Sequence, residues 1–228
     1  MTLFQFALIR SWRKKSTLIS LCIVPLLMVF MPTFWTGSGA TGFNLFGVNL
    51  LTAAFLLVRN MMTDRVTGTV IRIFAAPVTT FKYLLENLMG YILLLWIQIF
   101  VFIQLGAGRY DWTQDMTIKL ILGYWLFAAA AAAFSLAWNS LFKKRWVSDS
   151  MFSIAVSVMS LVGGVFVPLS FLPPWLQKLG MLFPNFWLSN ILLDALGEQS
   201  YYGMGLSSAV LVLYIVIYLL IGSKRRLE

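Results

Sequence analysis

Histidine is absent from this chain, and cysteine occurs once, as Cys22. The first absence removes the commonest general base and the commonest metal ligand. The second excludes an intramolecular disulfide and a cysteine metal cluster. Charge is scarce as well: 11% of the residues are Asp, Glu, Lys or Arg, against 60% hydrophobic. A soluble domain carries about a quarter charged residues, so this chain has too little polar surface to cover a core in water. There is no phosphate-loop motif for nucleotide hydrolysis. Nor is there the paired carboxylate or metal set that a membrane hydrolase needs.

What the chain has is long apolar runs. A bilayer core of about 30 Å calls for roughly 20 apolar residues in a helix. Six runs approach that length: Ser16 to Trp35, with Pro25 and Pro32 inside it; Phe43 to Met62; Tyr83 to Leu105; Thr117 to Leu141; Val147 to Pro168; and Met204 to Gly222. Between the fifth and sixth, the segment Phe171 to Leu196 is apolar but broken by Pro173, Pro174 and Pro184, and it carries Lys178 and Asp194. Its unbroken pieces are too short to span. They read as a re-entrant helical pair, or else as an interfacial loop anchored by Trp175, Phe183, Phe186 and Trp187. The expected fold is an all-α integral membrane protein of six transmembrane helices, one transmembrane domain over residues 1–228.

The net charge of +9 would suggest nucleic acid in a soluble protein. Here the cations flank apolar runs, which is the signature of membrane topology, and no nucleic-acid partner is expected. Of the 17 Lys and Arg, all but Arg109, Lys119 and Lys178 fall on one side of the six-span arrangement. That side is the cytoplasmic one by the positive-inside rule, and both termini lie there. The expected location is the cell membrane. The first fifteen residues place Leu3, Phe4, Ala7 and Leu8 at helical spacing ahead of a basic cluster. They read as an amphipathic helix on the inner leaflet, or as the frayed start of the first span. The positive cluster and the long run after it do not fit a cleavable leader.

Ion-coupled carriers keep ionisable groups deep in the membrane, and the centres of all six runs lack them. Glu86 and Asp149 lie near the cytoplasmic starts of the third and fifth runs, where they pair with nearby cations or serve a gate. Asn49, Thr52 and Gln98 are polar at depth and are candidate pathway residues. Ser150, Ser153, Ser157, Ser160 and Gly164 form a stripe of small residues down one face of the fifth run. Small residues allow close helix approach and hydroxyls line wet paths. The stripe marks a contact between paired chains, a pathway wall, or tight packing inside one subunit. The run Ala128 to Ala133 reads as close packing.

The loop after the second run, Asp64 to Leu95, holds Asp64, Arg65, Gly68, Thr69 and Pro77 in an order that resembles ABC transporter permeases of the ABC-2 exporter type. That family more often has Glu where Asp64 stands. Pro168, Leu172, Pro173, Trp175, Leu176 and Pro184 resemble the same family's re-entrant segment. The resemblance implies that two such chains, identical or related, pair in the membrane. It further implies that two cytoplasmic ATP-binding subunits, which hold the ATP and Mg, drive them. A short helix in the loop would dock into each ATPase, a role that falls on Gly68 to Pro77, including Arg72 and Phe74. The apolar Val70, Ile71, Ile73 and Phe74 on a polar loop suit docking, or else contact with the membrane surface. The function expected is export of a drug, antibiotic or other amphiphile. Export of a polysaccharide or lipid-linked glycan is the alternative within the class, and a stand-alone secondary carrier, a lipid-modifying enzyme or a scaffold the alternatives outside it.

Overall fold

The computed structural model of the chain describes residues 3–31, 41–69, 73, 80–167 and 171–224; for residues 3, 65, 66, 80, 81, 223 and 224 it describes the backbone only. Among the described residues all regular structure is helical. In chain order the helices are α1 (Leu3–Trp12), α2 (Lys15–Phe30), α3 (Thr41–Val66), α4 (Thr80–Tyr110), α5 (Gln114–Leu141), α6 (Arg145–Val162), α7 (Pro174–Gly180), α8 (Pro184–Ala195) and α9 (Met204–Lys224). Helices α3, α4, α5 and α9 are long and apolar enough to cross a membrane.

The start and stop of each helix follow local chemistry. Thr113 caps α5 by accepting a hydrogen bond from the Met116 amide at 3.3 Å, and Asp115 complements the helix dipole in the first turn. Pro174 and Pro184 sit in the first turns of α7 and α8, where a missing N–H costs nothing. Helix α3 stops at Val66, and Gly68 follows with φ +70°, a left-handed conformation that glycine adopts freely at a helix end.

Three boundaries differ most from the sequence reading. The first helix ends at Phe30 with Met31 extended, short of Trp35. The third runs on to Tyr110 through what read as an external loop. Trp112 packs over Gly106, leaving no room for a side chain there, so this glycine is a contact surface rather than a break. Helix α6, the fifth apolar run, ends at Val162 rather than near Pro168. Gly164 has φ +83°, and the carbonyls of Gly163 and Gly164 are taken by Ser189 (3.0 Å) and Asn44 (3.4 Å) instead of continuing the helix. Pro168 itself lies outside the described residues.

Helix α5 is the centre of the bundle. Its small residues Ala128, Ala130, Ala131 and Ala132 are fully buried, which lets neighbouring backbones approach closely. Gly123 of α5 faces Ile191 of α8, and Gly222 of α9 faces Leu136 of α5. Phe46 of α3 stacks on Phe102 of α4 with centroids 3.6 Å apart. Helix α8 is held within protein along nearly its whole length, from Pro184 to Leu192. Helix α9 is the reverse, with only 11% of its apolar window buried, so it presents its side chains outward.

Candidate functional site

One end of the bundle gathers most of the buried charge, and Asp64 is its focus. This residue lies in the last turn of α3 and is buried, so it belongs to the helix rather than to the free loop. It pairs with Arg10 of α1 and accepts the Tyr83 hydroxyl of α4 at 2.8 Å. The Arg10 guanidinium also donates to the Asn87 side chain (3.2 Å) and to the Tyr91 hydroxyl. Asn87 in turn donates to the Tyr83 carbonyl at 2.8 Å. Near the start of α1, the Phe4 amide donates to Glu86 at 3.2 Å, a carboxylate placed where a helix N-terminus favours one. Glu86 also stands 3.8 Å from Lys82.

The consequence is geometric. The segment between Asp64 and Tyr83 leaves α3 and returns into α4, and one side chain, Arg10, grips both its ends. Arg10 suits this because its planar fork has donors enough for several partners at once. Sequence reading had placed α1 at the membrane surface and missed the grip. A basic residue at helical spacing facing an Asp 54 positions away leaves no local pattern. Arg65 lies in α3 with only its backbone described. Arg72, Phe74 and Pro77 lie outside the described residues. Thr67 and Thr69 hydroxyls meet at 2.9 Å beside Gly68, and Ile73 packs against the core.

Beside this hub a second cluster forms. Arg59 of α3 donates to Asp149 of α6 at 3.0 Å, and Arg145 stands 3.9 Å from the same carboxylate. Lys14 donates to the Asn60 side chain. Burial first, then the nearby Arg145, Arg10 and Arg59 charges, hold the Lys14 ammonium below its ordinary pKa of 10.5, against the pull of Asp64.

Deeper in the bundle, Asn49 and Gln98 meet at one backbone atom. Helix α2 contains a π turn over Ile19–Ile23, in which the Val24 amide bonds to Ile19. The next residue that could serve the Ser20 carbonyl is Pro25, which has no N–H. The Ser20 carbonyl is therefore left over by its own helix, and Asn49 and Gln98 both donate to it at 3.3 Å. Ser20 also donates its hydroxyl to Asn49 at 3.3 Å. Gln98 is buried in this junction, whereas Asn49 and Thr52 are half-buried and line an open groove of about 600 Å³ between α2 and α3. Thr52 bonds its own helix, at the Val48 carbonyl, 2.9 Å away.

The small-residue stripe of α6 divides. Ser153 and Ser157 are exposed and donate to their own helix, at Asp149 (3.1 Å) and Ser153 (2.9 Å). Ser160 is fully buried and Gly164 is buried beyond the helix end. The upper stripe thus faces outward and the lower part is internal packing. In the α7–α8 segment, Pro173 precedes α7, Trp175 is exposed, and Pro184 is buried at the start of α8.

A bundle with long apolar helices, buried polar junctions between them and a charged hub at one end is that of an all-α membrane protein. Residues 37–224 match the family model of the ABC-2 family transporter protein. The chain belongs to that family: it is a membrane permease component of an ABC transporter, a family membership that implies an ATP-binding partner. No curated protein matches the chain closely enough to refine this.

Proposed function

We propose that this chain is the membrane-spanning subunit of an ATP-driven exporter of amphiphilic compounds, with drugs or antibiotics as the class of cargo. In this reading α2, α3, α4, α5, α6 and α9 are the six spans, and α7 with α8 is the re-entrant pair. Both termini and the Arg10 hub are cytoplasmic, in the cell membrane. Two permease chains, identical or related, enclose the path, and two ATPase subunits dock on the segment between Asp64 and Pro77. Glycine at position 68 and the apolar Val70, Ile71 and Phe74 suit a short docking helix there, with Ile73 packed against the core.

The observation that carries this reading is the grip of Arg10 on both ends of the docking segment. A push on that segment cannot move α3 without engaging α1 and α4, because Asp64, Asn87 and Tyr91 share one guanidinium and Tyr83 bonds Asp64. The same displacement reaches the α2–α3 groove, where Asn49 and Thr52 stand. The test is affinity purification from native membranes in mild detergent, followed by transport in inverted vesicles. A stoichiometric ATP-binding subunit should co-purify. Substitution of Arg72 and Phe74 should then abolish ATP-driven uptake with assembly intact. A chain that transports with no such subunit, on an ion gradient alone, would overturn the proposal.

A further inference from the structure

The groove between α2 and α3 is walled by Ile19, Val24, Met28, Leu45, Val48 and Leu56, with Ser16, Ser20, Asn49 and Thr52 as its polar lining. From Ser16 to Met28 it extends roughly 18 Å by helix rise, close to the hydrocarbon depth of one leaflet, about 15 Å. Its mouth at Ser16 and Leu56 lies beside the charged clusters. Lys14 stands two residues before Ser16, and Arg59 lies about one turn beyond Leu56. Four cations meet there, Arg10, Lys14, Arg59 and Arg145, with the carboxylates Asp64 and Asp149 between them. Asp64 is taken by Arg10, and Asp149 is shared by Arg59 and Arg145. The bond that Lys14 makes is to a neutral amide, Asn60. Two positive charges are therefore in excess at the mouth of an apolar trough of one acyl chain's depth.

We infer that this groove binds a phosphate-headed lipid, the headgroup at Lys14 and Arg145 and one acyl chain along Val24, Met28, Leu45 and Val48. The inference deepens the reading above, on which it rests: it assigns the exported amphiphile an anionic phosphate head. Ammonium and guanidinium together supply several donors to phosphate oxygens. The excess charge matches a phosphate rather than a zwitterionic or neutral head. Asn49, part-way down the trough, gives one amide hydrogen to the Ser20 carbonyl and keeps the second for an ester linkage, which a bare lipid face would not offer.

The test is photolabelling of the full chain in phosphatidylcholine vesicles containing a small fraction of phosphatidic acid with a photoreactive acyl chain, the adducts mapped by peptide mass spectrometry. Adducts should concentrate on residues 16–28 and 45–56. Each interfacial cation contributes about a factor of five toward an anionic lipid, so the Lys14→Gln, Arg145→Gln pair should lower this labelling by about twentyfivefold. The conservative Lys14→Arg, Arg145→Lys pair should restore it, which separates loss of charge from loss of fold. Arg13→Gln with Lys15→Gln, changing exposed cations beside the cluster, should leave the labelling in place. Adducts spread evenly over α4 and α9, or equal labelling by photoreactive diacylglycerol, would overturn the inference. Displacement by inorganic phosphate at the same affinity would overturn the lipid assignment and make the site one for free phosphate. The readout needs neither ATP nor a partner, so a missing ATPase would sink the exporter proposal while this result still stood or fell by itself.

Discussion

At the scale of single residues, the Arg10–Asp64 pair separates a charge argument from a packing one. Both side chains are largely buried, at 14% and 10% exposed. Removing one partner strands the other's charge at a cost of about 3–5 kcal/mol, whereas replacing both by apolar residues of similar size is close to neutral. Arg10→Met and Asp64→Leu should each lower the unfolding temperature in detergent sharply, and the double variant should recover most of the loss. Additive losses would place the stabilisation in the Tyr83, Asn87 and Tyr91 bonds instead. Lys14 gives a pH signature. Its folded pKa is depressed below 10.5, so between the folded and unfolded values the unfolded chain binds more protons, and stability rises with pH. The groups facing it are Arg145, Arg10, Arg59 and Asp64. The melting temperature of the protein minus that of Lys14→Met should increase as pH climbs toward 10.5 and stay level at lower pH. None of this pairing was legible in the chain. The positions of the cations told which side they share, but not that Arg10 turns inward, because a partner 54 residues away leaves no periodicity. The reading of Glu86 and Asp149 as partners of nearby cations matches the geometry.

At the scale of elements, the apolar runs announced the helices well. Leu141 and Met204 end and begin helices where the sequence placed them, and the others moved by a turn or so. What hydropathy could not show is how a helix ends when the stop is made by a distant side chain, as Ser189 does at Gly163 and Asn44 at Gly164. Nor could it show the π turn at Ile19–Ile23, where Pro25 supplies no N–H and the Ser20 carbonyl is met instead by Asn49 and Gln98. The α7–α8 segment was recognisable from its prolines, yet its packing was not. Gly180 there is a close-approach position: a Cβ would stand 2.8 Å from the Val162 carbonyl and 3.1 Å from Phe186. Because a backbone atom cannot swing aside, Gly180→Ala should cost about 1–3 kcal/mol, the usual cost of overpacking. It should show as a lower denaturation midpoint, whereas Gly203→Ala, in open space, should change little.

At the scale of the whole molecule, Ser153 and Ser157 face outward together with Ile154, Val158 and Leu161. Within the proposed exporter this face of α6 is where two permease chains meet. Because Cys22 is the chain's one thiol, Cys22→Ser gives a cysteine-free background. Ser157→Cys in that background should form a crosslinked dimer in native membranes under mild oxidation. A cysteine at exposed Leu213 of α9 should not. Crosslinking at α9 alone would move the interface from α6 to α9.

The burial of α8 bears on how the chain is made. With 12 residues the helix is about 18 Å long, too short to enter a bilayer as a span, and it carries Asn185, Ser189 and Asn190 into the protein interior. The insertion machinery has no reason to release such a segment sideways into lipid. Its place is made by Gly47 and Gly123, which α3 and α5 supply earlier in synthesis, and its outer side is closed by α9, which emerges after it. The order of the elements along the chain is thus also an order of assembly, in which a pocket is built first, filled second and sealed last.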